Sequence, residues 1–165
     1  MKTNRLLPTL LAFLFALAVS RAETFKIRNA DLPDLANALA ALDGSERVVD
    51  QGPGNPSRIV REPYKFSGDV RARLAADLAV VVDAAKRAQE KRDALIKQIS
   101  GGSDRIDPKN SAQMAEFTVS ASTLLEAEVA LDLSPIATAD LNLEANAIPV
   151  SVLAALGRLR PKTQP

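Results

Sequence analysis

Apolar and polar positions alternate at Thr24, Phe25, Lys26, Ile27 and Arg28, which predicts a short strand with Phe25 and Ile27 on one face. After a break at 29–31 the period changes. Leu32, Leu35, Leu39 and Leu42 follow at helical spacing and predict about three turns, with Pro33 in the first turn and Asp43 and Gly44 as the stop. In residues 45–66, Val48 and Val49 mirror Ile59 and Val60 about a Gly52, Pro53, Gly54, Asn55, Pro56 turn, the pattern of a β-hairpin or else of an ordered loop.

The longest periodic run begins at Ser67, a good helix cap with Asp69 in the first turn. Val70, Leu74, Leu78, Val81, Ala85 and Ala88 are spaced near a heptad, and the seam resumes at Leu95 and Ile99 beyond Arg92. Gly101 and Gly102 supply a left-handed stop. After the polar connection 103–110, a further helix is expected to reach Glu126 with Met114, Phe117, Ala121, Leu124 and Leu125 on one side. The short connection favours antiparallel packing of the two helices.

Val129, Leu131 and Leu133 then alternate with smaller or polar residues as a strand closed by Ser134 and Pro135. Ala139, Asp140 and Leu141 suit a helical turn. A closing helix starts at Pro149 and runs through Val150, Val152, Leu153, Leu156 and Leu159. The fold class is therefore α+β, predominantly α: an antiparallel long-helix hairpin with a small sheet of short strands. The expected core is Leu74, Leu78, Val81, Leu95, Ile99, Phe117, Leu124 and Leu125. The domain spans 23–160, followed by a disordered tail over 161–165.

Residues 1–22 have a different pattern. Lys2 and Arg5 precede an apolar run over 6–19, interrupted at Pro8 and Thr9, and Ser20, Arg21 and Ala22 place small residues where a signal peptidase cuts. The run is shorter than the roughly 20 residues a membrane crossing needs. It predicts a cleavable signal peptide, a periplasmic or secreted protein, and no membrane association after cleavage.

Composition narrows the chemistry. Lys2, Arg5 and Arg21 are the only charges in the segment, so the remainder carries eighteen basic and twenty acidic residues, a net charge of −2. Such a balance gives no global attraction to nucleic acid or anionic lipid. Cysteine, histidine and tryptophan are absent. Their absence removes disulfides, thiolate nucleophiles, zinc–thiolate sites, the usual general base and every His-dependent triad. The aromatics beyond the signal are Phe25, Tyr64, Phe66 and Phe117, too few for a base- or sugar-stacking surface.

The densest acidic region is Glu126, Glu128, Asp132, Asp140 and Glu144. Paired carboxylates can act as acid and base in glycoside hydrolysis, and clustered oxygens can hold a divalent cation. The spacing fits no calcium loop, and strand alternation places Glu128 and Asp132 on one solvent face. Glu126, Glu128 and Asp132 are thus the weak metal candidates, with Glu126 and Asp132 kept for an acid-pair hydrolase. No catalytic residue and no cofactor is assigned. Lys86, Arg87, Lys91, Arg92 and Lys97 are interleaved with Glu90 and Asp93, a solvated helix face with i,i+4 pairs. The glycines near Gly52 lack the Lys-Ser/Thr of a phosphate loop. Ser111, Ser120 and Ser122 have no base partner.

From Glu62, Pro63, Tyr64, Lys65, Phe66 and Ser67, through the long charged helix, to the stretch from Glu126 through Glu128, Val129, Ala130, Leu131 and Asp132 to Ile136, with Asp140 and Leu141, the chain resembles small uncharacterised proteins of tailed phages and prophages. The resemblance implies a strand and short helix, a long charged helix, a second helix, an acidic strand and a closing helix, with a role in virion assembly or structure. It brings no catalytic or binding residues. The export segment departs from that pattern, because virion components act in the cytoplasm; a translation start downstream of Met1 would restore a cytoplasmic or virion location. The functional expectation is a non-enzymatic accessory protein acting by protein–protein contact or self-association. The alternative is a periplasmic binding or adaptor module using the acidic strand and the hairpin tip.

Overall fold

The computed structural model describes residues 22–160 apart from 50–51 and 53–56. The segment expected to be a signal peptide, up to Arg21, most of the hairpin tip and residues 161–165 lie outside the described residues. Strand β1 (Glu23–Arg28) leads through a 3₁₀ turn into helix α1 (Leu32–Ala41). Strands β2 (Ser45–Val49) and β3 (Arg58–Glu62) precede helix α2 (Gly68–Ser100). Helix α3 (Ser111–Glu126), strand β4 (Glu128–Leu133), a 3₁₀ turn (Thr138–Leu141) and helix α4 (Val150–Leu156) complete the order. The fold is α+β and predominantly α, as the periodicities predict.

The strands form two separate antiparallel pairs rather than one small sheet. β2 and β3 make the hairpin expected in 45–66, with Ser45 opposite Glu62 and Val49 opposite Arg58. Gly44 enters it closely: a Cβ there would stand 2.6 Å from the Glu62 carbonyl oxygen. β1 pairs with β4, Phe25 opposite Leu131 and Ile27 opposite Val129. Phe25, Ile27, Leu131 and Leu133 are buried on the inner face of that ribbon.

α1 packs against both α2 and α4, so Leu32, Leu35, Ala38 and Leu39 are buried between them. Leu42, Tyr64, Val70, Leu74, Val81, Ala84, Ile136, Leu141, Ile148, Val152, Leu156 and Leu159 complete the core. Asp31 ties the two ends of this body together. It accepts from Arg28 Nε and from Arg158 Nη2, each at 2.9 Å. The Arg28 hydrogen bond holds the Asp31 carboxyl below its ordinary value.

α2 begins and ends where its caps predict. Ser67 Oγ accepts from the Val70 N–H at 3.3 Å, and Gly101 takes the left-handed conformation at φ 73°. Ser67→Ala leaves that N–H without its cap, so a loss of about 1 kcal/mol is expected in denaturant unfolding.

Several core expectations need correction. Leu74, Val81 and Ile99 are buried, but Leu78, Leu95, Phe117 and Leu124 are only half-buried, and Leu125 is exposed. The reason is geometric. α2 spans about 50 Å at 1.5 Å per residue, longer than the body it crosses. Its buried residues run from Val70 to Ala84, and Ile99 lies apart from the main core.

Candidate functional site

Beyond Ala84 the second half of α2 turns back at Gly101 and is matched by α3, giving a two-helix arm. Asn29 secures its base: its side-chain amide donates to the Leu124 carbonyl at 2.8 Å and its backbone N–H to Ala127 at 2.9 Å. On α3 the residues turned toward α2 are Gln113, Phe117, Ser120, Ala121 and Leu124, and none of the sixteen is fully buried. One narrow helix cannot cover a wider apolar stripe. Leu125 and Met114 lie at one edge of that stripe, 45 % and 38 % exposed, and Val119, 69 % exposed, stands about 120° or more round the helix from them. Glu116 and Glu126 are the only charged residues on α3.

The facing part of α2 is strongly charged. Lys86 pairs with Glu90 at 4.0 Å and Arg87 with Asp83 at 2.9 Å. Asp93 takes Gln89, and Lys97 takes Asp104, instead of pairing with each other at i,i+4. These exposed pairs contribute a few tenths of a kcal/mol each. They leave α2 solvated and α3 nearly uncharged on the outer side of the same arm.

The acidic candidates are placed separately. Glu126 is the last residue of α3, while Glu128 and Asp132 lie on the exposed face of β4. Asp132 accepts from Thr24 Oγ1 at 2.6 Å across the ribbon. Glu128 stands opposite Arg28, whose guanidinium is held above its ordinary value mainly by the Asp31 hydrogen bond, with smaller contributions from Glu126 and Glu128. A strand advances about 3.3 Å per residue, so Glu128 and Asp132 stand about 13 Å apart. That spacing exceeds the roughly 6.5–9.5 Å of an inverting carboxylate pair, and the pair expected from the sequence, Glu126 and Asp132, is divided between the end of α3 and the far half of β4. Among the described residues no three acidic side chains gather into a metal-holding group. Asp140 has a different role, pairing with Arg73 at 3.2 Å.

An open groove of about 650 Å³ runs between α1 and α4, floored by Ala38, Ala41, Val152 and Ala155 and rimmed by Asp34, Asn37 and Arg158. Arg158 is already engaged with Asp31. Sequence reasoning missed two buried polar residues, Asp77 and Asn146. Asp77 was legible in principle, because Leu74, Asp77, Val81 and Ala84 keep the apolar spacing with a carboxylate in the series. No local pattern marks Asn146.

No helix among the described residues is long and apolar enough to cross a membrane. No protein-family model, curated protein or solved structure matches the chain.

Proposed function

We propose that this is a non-enzymatic accessory protein that works by protein–protein contact through the α2–α3 arm. The exposure of Val119 and Leu125 on a helix with two charged residues carries the reading. Exposed apolar side chains on two sides of a nearly uncharged helix suit a helix that is received by another chain. The signal-like pattern of residues 1–22 supports an exported protein meeting its partner in the periplasm or outside the cell. The order of strands and helices supports descent from the phage-type proteins the chain resembles, with the arm as the part used in assembly.

Replacing Val119 and Leu125 together by lysine tests the reading. Both side chains are exposed, so unfolding is expected to change by no more than about 0.5 kcal/mol per site. Association, read as co-migration with larger species in native size fractionation from the source cell, is expected to be lost. Unchanged co-migration with a folded double variant would overturn the proposal. N-terminal sequencing of the recovered protein tests export separately: cleavage after Ala22 is expected, and an intact Met1 in the cytoplasm would contradict it.

A further inference from the structure

The β2–β3 hairpin is a ribbon with little to hold it. Among the described residues neither strand packs at length on another element. The side chains of β3 are exposed on both faces apart from half-buried Val60, and Ile59 is left 65 % open. A two-stranded ribbon of this kind is marginal in water, and a third strand is one of the few additions that make it stable.

The outer edge of β3 is free to supply that addition. Every second residue of an antiparallel strand directs its N–H and C=O away from its partner. Among the described residues, no backbone group of Arg58, Ile59, Val60 or Arg61 bonds outside the hairpin. Pro56 and Pro63 bracket the strand in sequence and have no N–H to extend a ladder, so the edge is confined to Arg58–Glu62.

Charges commonly blunt such an edge, but their order on β3 does the reverse toward a second copy. The strand reads Arg58, Ile59, Val60, Arg61, Glu62. Laid antiparallel against another β3 with Val60 opposite Val60, it sets Arg58 against Glu62 of the second copy, twice by symmetry. Ile59 then meets the aliphatic stem of Arg61. Residues directly opposite have Cβ atoms about 5 Å apart, where unlike charges attract and like charges repel. Arg58 makes no ion pair among the described residues, so its charge is available. Arg61 is already paired with Asp43 at 3.2 Å and Glu46 at 3.8 Å. Moving the centre to Arg61 would oppose two arginines, and moving it to Ile59 would lose the Arg58–Glu62 match.

We propose that β3 is a self-pairing edge, through which two copies of this chain join about a two-fold axis at Val60. The product is a four-stranded antiparallel sheet in the order β2, β3, β3, β2. A two-fold contact uses the same edge on both copies and closes at the dimer. Two such short strands bury less than the roughly 1,000 Å² of a stable assembly, so the dimer is concentration-dependent. Backbone bonds supply the attraction, and the two Arg58–Glu62 pairs fix the register. This surface is separate from α3 and does not depend on contact through the arm.

Sedimentation equilibrium of the whole protein over a concentration series tests the edge. Wild type is expected to show a monomer–dimer equilibrium. Arg58→Glu opposes two acids at each pair and Glu62→Arg two bases, so either variant alone is expected to weaken the dimer about tenfold or more. An equal mixture of the two variants restores unlike charges at both pairs and is expected to recover dimerisation. The Val119, Leu125 double lysine variant is expected to dimerise as wild type does. A wild type that stays monomeric, a dimer that neither reversal moves, a mixture no stronger than its parts, or loss of the dimer in the double lysine variant would overturn the proposal.

Should a charge variant fail to fold, cysteines placed in this cysteine-free chain decide. Oxidation is expected to link two copies of Val60→Cys, because directly opposite Cα atoms stand about 4.5–5.5 Å apart, within disulfide range. It is expected to leave Ile59→Cys unlinked, because its like positions lie on a diagonal of about 7–8 Å. Linking at 59 as readily as at 60, or at neither, would overturn it.

Discussion

Leu35→Ala is expected to lower the free energy of unfolding by about 3–5 kcal/mol, the largest effect of any single truncation considered. Leu35 has no exposed surface and sits on α1, which packs against both α2 and α4. Removing its isobutyl group loses the transfer energy of the buried carbons and leaves a cavity. That cavity cannot collapse without moving the helices on either side. A domain of this size has about 5–15 kcal/mol in total, so urea unfolding should show a large drop in midpoint with little change in slope. Leu125→Ala, by contrast, is expected to cost less than about 1 kcal/mol, because its side chain is 45 % exposed. A ratio near one between the two variants would mean that the arm belongs to the core.

Asn146→Ala is expected to cost about 2–4 kcal/mol by a different mechanism. Asn146 is 4 % exposed, and its amide uses both ends. Oδ1 accepts from the Lys65 N–H at 2.7 Å, while Nδ2 donates to the Leu141 carbonyl at 2.9 Å and to the Lys65 carbonyl at 3.4 Å. The side chain thereby joins the lead-in to α2 with the segment between β4 and α4. Alanine leaves a backbone donor and a carbonyl in the interior without partners, and each unmade bond there costs about 1–3 kcal/mol. Chemical denaturation gives the size. Amide exchange at Lys65 gives the location, with protection at that site expected to fall more than the global loss requires. Asn146→Asp should also destabilise, since it keeps the acceptor for Lys65 but removes the donor to Leu141.

The parts legible in the sequence are those set by local chemistry. The Ser67 cap, the Gly101 stop and the Leu32, Leu35, Leu39, Leu42 face need only a few neighbouring residues, and each lies where the pattern places it. The 45–66 hairpin follows from symmetric flanks about a turn. The pairing of β1 with β4 joins residues more than ninety positions apart, and no local signal encodes that closure. Helical period alone could not separate Leu124 from Leu125. Both continue the Phe117 face, and only the narrow width of α2 decides that Leu124 turns inward. The acidic residues were legible as a cluster in sequence but not in space. Strand alternation and the α3 terminus distribute Glu126, Glu128 and Asp132 along one side, while Asp140 is drawn to Arg73. Buried Asp77 shows the converse: a polar residue at an apolar period marks a contact with a distant backbone group, here Ser134.

The arm is where sequence and structure together leave chemistry unused, and its role can be tested at one position. The chain contains no cysteine, so Val119→Cys provides a unique thiol on the exposed face of α3. Asn37→Cys provides a matched, exposed control on α1, beside the open groove. Thiol-directed cross-linking in the source cell is expected to join Val119→Cys to a protein partner and to leave Asn37→Cys uncoupled. Adding Leu125→Lys to Val119→Cys is expected to abolish the adduct without unfolding the protein. Adducts from position 37 but not 119, or none from 119 in a folded protein, would contradict contact through the arm.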